Sequence, residues 1–191
     1  MTIDLAALPA PQVLETLDIE ATYEGLLAQF REYLGDNWTA PLESEPVVKL
    51  LELVAYLRVQ DRARVNDAAK ALLLAYAKGA DLDHLAANHA LGRLVVQAED
   101  LTAVPPVPEV LEEDDALRER VQLVYEGLTT AGPRNSYILH ARNASGLVAD
   151  ATAESPSPAV VDLTVLSLEG NGSADDELLA TVSAYVNDDD V

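Results

Sequence analysis

The side chains that could bind a metal or move a proton are three histidines, His84, His89 and His140, and 33 acids. There is no cysteine, so thiolate ligands and disulfides are both unavailable. His84 and His89 stand five residues apart, which does not put them on one helix face, where ligands sit at i,i+3 or i,i+4. Neighbouring Asp81 and Asp83 suit helix capping, and the histidines read as surface or satisfied ones. Carboxylate pairs such as Glu112–Glu113 and Asp175–Asp176 read as solvated helix starts, because so many acids form pairs by chance. Gly170-Asn-Gly172 is too short to cradle a phosphate, and no Lys-Ser/Thr follows it. No G-x-S-x-G elbow, H-E-x-x-H or calcium-loop spacing is present. Thr129-Thr-Ala-Gly-Pro133 has the Gly and Pro of a helix-to-helix turn. Asn37, Asn143 and Asn171 lie in glycosylation sequons, which matter only on export. The residues specify no catalytic, metal or cofactor site.

What they do specify is a rod. From Ser44 to Gly79 the pattern predicts one long helix, about 44–78, with Ser44 as N-cap, Pro46 in the first turn and Gly79 as the left-handed stop. Val47, Leu50, Val54, Leu57, Val65, Ala68, Leu72 and Ala75 recur at steps of three and four, forming one seam. Asp61 interrupts it inside a charged run, Arg58 to Arg64. At ~1.5 Å per residue the rod would reach about 50 Å, a length that suggests a bundle between subunits. The expected assembly interface is therefore Val47, Leu50, Val54, Leu57, Val65 and Leu72.

Composition narrows the partners. The formal net charge is −21. Only three lysines and nine arginines oppose the acids, so the surface repels phosphate backbones and nucleic acid is not an expected partner. The excess serves solubility, a salty habitat or complementarity to a basic partner. Mean hydropathy is near zero, no apolar run approaches a membrane span, and the N-terminus has no basic or apolar leader region. No membrane is expected as a partner.

The elements around the rod follow in order. Residues 1–14, with Pro9 and Pro11, read as an extended arm or mobile tail. Residues 15–34 become helical in their second half and stop at Gly35, Asp36 and Asn37, with a connector from Trp38 to Pro41. Asp81 is the expected cap of a short helix closed by Gly92. Arg93-Leu-Val-Val could start a strand, and Pro105, Pro106 and Pro108 forbid regular structure after it. A helix is expected from Asp114 or Asp115 and another after Pro133. Strands are expected at 147–153 and 160–168 around a Ser-Pro-Ser-Pro turn, then a helix from about Ala174 to Val186 capped by Ser173. The fold class is α+β: residues 1–92 a helical assembly domain, 93–112 a Pro-rich linker, and 113–191 a small α+β domain. A two-stranded sheet is marginal alone, so a further strand is expected beyond Val191.

Several segments together resemble the Baseplate J family, wedge proteins of contractile phage tails and related injection machines. They are Leu8-Pro-Ala-Pro with Glu15-Thr-Leu-Asp18, Leu42-Glu-Ser-Glu-Pro46, Arg64-Val-Asn-Asp-Ala68 and Ala75-Tyr-Ala-Lys-Gly-Ala-Asp-Leu-Asp83. Further on come Asp114-Asp-Ala-Leu-Arg118, Glu126-Gly-Leu-Thr-Thr-Ala-Gly-Pro133 with Tyr137, Ser155-Pro-Ser-Pro158 and Thr164-Val-Leu-Ser167. Their order and spacing carry the match across nearly the whole chain. The resemblance implies a structural subunit made in the host cytoplasm and located in the virion tail baseplate. It implies bundling with other baseplate wedge proteins and further copies of itself, and it brings no cofactor or active site. Family members continue past the position of Val191 through an Arg-Pro-containing strand, which makes the ring-forming end incomplete here.

The expected function is therefore a scaffold in a contractile tail baseplate wedge, around the central hub, and not an enzyme. A phage-derived injection system is the near alternative. A hydrolase would need a deep pocket with two convergent carboxylates of perturbed pKa. An acidic adaptor for a basic protein would need one uniform acidic face.

Overall fold

The computed structural model describes residues 4–35, 42–128 and 132–188. The connector expected at Trp38 to Pro41, the stop at Asp36 and Asn37, and residues 129–131 of the expected helix-to-helix turn fall outside them. The architecture is α+β: six helices, with two antiparallel two-stranded sheets among the described residues. The chain forms two compact units, Leu5–Tyr76 and Ala77–Val191. That division precedes the expected linker at 93–112.

The first unit is a helical hairpin. Helix α1, Ile19–Leu34, starts where the Asp18 carboxylate accepts the Ala21 N–H at 3.0 Å, and ends at Gly35 with φ +62°. Helix α2, Pro46–Ala71, is the long one, and α1 packs along it. Its N-cap is Glu45, which makes no side-chain cap, so Ser44 does not hold the position expected of it. At 26 residues the helix is about 39 Å long.

The rod also ends seven residues earlier than expected, and Gly79, φ +50°, opens the next helix instead of closing this one. The reason is tertiary. The Ala77 carbonyl accepts a 2.8 Å hydrogen bond from Arg118 Nη2, and the Gly79 N–H donates to the Asp114 carboxylate at 3.2 and 3.3 Å. A helix continuing to 78 would need the Gly79 N–H for its own last bond, to the Ala75 carbonyl.

The second unit starts with α3, Gly79–Ala87, preceded by Lys78; Asp81 lies in its first turn and is not the cap. The segment expected as a linker is folded. Strand β1, Val95–Gln97, pairs with β2, Val110–Leu111, and Asp100 and Val107 exchange both backbone hydrogen bonds at 2.9 Å. Pro105, Pro106 and Pro108 stay outside the ladder, as their missing N–H requires. Helices α4, Asp114–Leu123, and α5, Arg134–Ala144, follow at the expected places, α5 directly after Pro133.

Strands β3, Val148–Ser157, and β4, Val160–Ser167, make the second sheet. The turn lies at Pro158-Ala159, later than expected, with Ala159 at φ +63°. Pro156 is accommodated because the register shifts between Glu154 and Ser157, where no ladder N–H is demanded. Helix α6, Asp176–Val186, is capped by the Asp175 carboxylate, which accepts from Leu178 N at 2.8 Å, and not by Ser173. Its Leu178 and Val182 meet Ala141 of α5 and Val148 and Ala151 of β3 in the core.

Candidate functional site

Helix α2 has two unlike faces. Toward α1 it turns Val48, Ala55 and Asn66, all buried, with Arg62 between them. These positions are seven, seven and four residues apart, a single stripe of the helix. The polar members hold the N-terminal arm. Asn66 Nδ2 donates to the Glu15 carbonyl at 2.8 Å, while Glu15 N–H donates to Asn66 Oδ1 at 2.9 Å. The amide thus imitates a neighbouring strand. Arg62 Nε meets the Glu15 carboxylate at 2.8 Å, and its Nη1 donates to the Thr22 hydroxyl at 3.3 Å. The arm is extended, and at Glu15 it is pinned.

The expected seam lies on another face. Leu50 and Leu57 are 58% and 48% exposed. Val47 and Val65 are exposed as well, Val54 is half-buried, and Leu72 lies past the end of the helix. At 100° per residue, Val47, Leu50, Val54 and Leu57 sit within one arc, and Leu53, 52% exposed, falls at its margin. Tyr56, half exposed, continues it and accepts a 2.7 Å hydrogen bond from Gln60 Nε2. Leu53 and Tyr56 also fit a three-and-four spacing, as a row beside Val54 and Leu57 that the expected seam leaves out. The arrangement can do no chemistry. It can bury apolar area against another surface, at ~1.5–3 kcal/mol for each fully covered large side chain.

The second unit gathers charge instead. Arg93 joins three segments: its Nε meets Asp83 of α3 at 2.6 Å, its Nη2 meets Asp114 of α4 at 2.5 Å, and its Nη1 donates to the Glu112 carbonyl at 2.6 Å. The Arg93 hydrogen bond, aided by the Gly79 N–H and opposed by desolvation, holds the Asp114 carboxyl below its ordinary pKa. Arg120, buried, pairs with buried Glu112 and donates to Asn143 Oδ1 at 2.8 Å and the Gly92 carbonyl at 3.2 Å. Arg142 pairs with Glu119 at 2.7 Å. A cavity of ≈ 230 Å³ beside these groups is lined by Leu94, Val110, Val148 and Leu168, with Glu112 turned to Arg120. It is a mainly apolar space; of the two carboxylates on its lining, Glu112 and Glu113, the first is engaged by Arg120.

The histidines are apart. His89 stacks edge-on against Tyr125, with ring centroids 5.4 Å apart. His140 lies 6.4 Å from the Tyr185 ring, its Nδ1 buried without a hydrogen-bond partner among the described residues. Burial lowers its pKa. Among the described residues no group of three or more His, Cys, Asp or Glu could hold a metal ion, and no helix is long and apolar enough to cross a membrane.

Comparison with known proteins bears on the α2 surface directly. Residues 43–100 match the family model of the Baseplate J-like N-terminal domain, a stretch that takes in α2, α3 and β1. The chain is also 45% identical to "Baseplate protein J" of Escherichia phage P2 over 199 residues, covering 99% of this chain and 65% of that relative. The chain therefore spans just under two thirds of the relative's length. With the family's domain matched at 43–100 and the likeness to a baseplate protein running from end to end, this chain is similar to the Baseplate J-like family along its length.

Proposed function

We propose that the protein is a structural subunit of a phage tail baseplate, and more closely a wedge scaffold of a contractile tail whose α2 surface packs against neighbouring baseplate chains. Other wedge proteins and further copies of itself are the partners of this reading. The observation that carries it is the apolar arc of α2, Val47, Leu50, Val54 and Leu57, turned away from the α1 packing stripe in a chain similar to a baseplate protein. Apolar side chains aligned at helical spacing and left outward gain little for the hairpin itself and much for an interface.

The experiment is co-purification with the neighbouring tail proteins. Leu50→Asp with Leu57→Asp should leave the far-UV spectrum intact and abolish the complex. A complex that survives both charges overturns α2 as the interface.

A further inference from the structure

We propose that the outer edge of β4, with the groove that α6 overhangs, takes an extended basic strand of another protein, whose residues alternate between apolar ones and lysine or arginine. This goes beyond the α2 reading and uses none of its residues.

Helix α6 packs its Leu178 and Val182 against α5 and β3 in the core, while among the described residues no strand lies beyond β4. What lies there is a groove of ≈ 500 Å³ between Val161, Leu163 and Val165 of β4 and Leu179, Val182 and Val186 of α6. The first three alternate along one face of a strand and the last three follow a helical stripe. The groove therefore has the section of one missing strand under one existing helix.

The backbone faces the same way. Ser167 N–H donates to the Gly172 carbonyl, away from β3, whereas Leu168 N–H donates to the Leu147 carbonyl, toward it. N–H direction alternates along a strand, and β4 is regular in register from Asp162 to Leu166. The N–H groups of Val165, Leu163 and Val161 consequently point off the sheet, and among the described residues no strand lies beyond them. The edge already supports pairing at its end, where Leu166 forms an antiparallel bridge with Ser173. Addition of a strand satisfies such donors and lays alternate side chains into the adjoining groove.

Charge names the occupant. No lysine or arginine follows Arg142, while ten acids do. On the solvent face of this sheet Glu154 stands directly opposite Asp162, a like-charge pair that weakens the hairpin by itself. An added strand would place its outward residues beside Asp162, Thr164 and Leu166, so cations there relieve the repulsion and apolar residues fill the groove. A second copy of this chain would bring more acid to the same edge, which the same argument disfavours.

The test titrates the full chain with a nine-residue peptide alternating valine and lysine. Controls are the same residues in block order and a valine–glutamate alternation. Calorimetry should show binding by the first peptide alone, weakened at least tenfold between 50 and 500 mM sodium chloride on the screening argument. Amide exchange should slow at Val161, Leu163 and Val165. Asp162→Lys, at an exposed site, should transfer the preference to the glutamate peptide. Leu179→Arg, also exposed, should block both with an unchanged far-UV spectrum. Equal binding of the block-order peptide, or binding without protection of those amides, overturns the proposal. So does protection already present without peptide, whether the chain runs as a dimer, meaning a second copy, or as a monomer, meaning its own chain closes the edge.

Discussion

Among the described residues of Leu5–Tyr76, the fully buried apolar side chains are Val48 and Ala55, whereas Ala77–Val191 buries Leu82, Leu117, Val121, Leu139, Leu178 and Val182 along with several alanines. The first unit keeps its leucines outward and is joined by hydrogen bonds of Asn66 and Arg62. The second buries Leu82, Leu117, Leu123, Leu139 and Leu178, though it leaves others exposed, and puts paired charges, Arg120 with Glu112, inside as well. Burial of apolar area dominates folding stability, so the second unit draws more of its stability from its own core than the first does.

The contrast is sharpest at the ion pairs. Arg120→Met leaves Glu112 buried and unpaired, and should cost about 3–5 kcal/mol of second-unit stability in urea unfolding. Adding Glu112→Gln should recover part of that loss. Arg62→Met removes a pair whose side chains are 39% and 56% exposed, and should cost about 0–1 kcal/mol. Equal losses would mean that the two units are built alike.

Leucines make the same comparison with one chemistry. Leu117→Ala, at a fully buried site, should cost about 2–5 kcal/mol. Leu57→Ala on α2 should change the isolated chain by about 0.5 kcal/mol or less. If Leu57→Ala destabilises the isolated chain as strongly, the α2 arc is already covered and is no free surface.

Acid should act on the second unit through His140. Burial lowers its folded pKa, so the unfolded chain takes up the proton first as pH falls below the ordinary 6.5. Stability is thus fully present above that value and is lost toward the depressed folded pKa. Asp114, lowered chiefly by the Arg93 hydrogen bond, adds a further loss once pH falls below its ordinary 3.8. His140→Phe should flatten the first decline in a series of melting temperatures from pH 7 to 5. An unchanged decline would assign it to other groups.

How much of this was legible follows from where each signal sits. Acids in the first turn marked α4, Pro133 marked α5, and Gly35 marked the end of α1, because these are local rules of helix ends. The end of α2 was not legible, since Arg118 and Asp114, which hold Ala77 and Gly79, lie 41 and 35 residues away. The packing stripe was missed for a different reason. Its members Ala55, Arg62 and Asn66 are small or polar, and apolar periodicity pointed to the face with the leucines instead. Ser155-Pro-Ser157 read as a turn because a proline normally ends a ladder, yet the register shift leaves it nothing to donate to. Arg93 carried no signal at all; its partners meet only in the folded chain.

The Asn66–Glu15 contact has a consequence for how these two positions tolerate change. Asn66 touches the main chain of residue 15, its N–H and its carbonyl, and nothing in those two bonds depends on which side chain stands there. Position 15 should therefore accept most residues other than proline, which lacks the N–H. Position 66 has no such freedom: aspartate cannot donate, and glutamine carries the same amide one methylene too far out. A saturation library scored for arm protection should show a nearly flat profile at 15 and a single peak at 66. The side chain most exposed to selection in this pair is the one that looks, from its sequence neighbourhood, like an ordinary polar residue of a long helix.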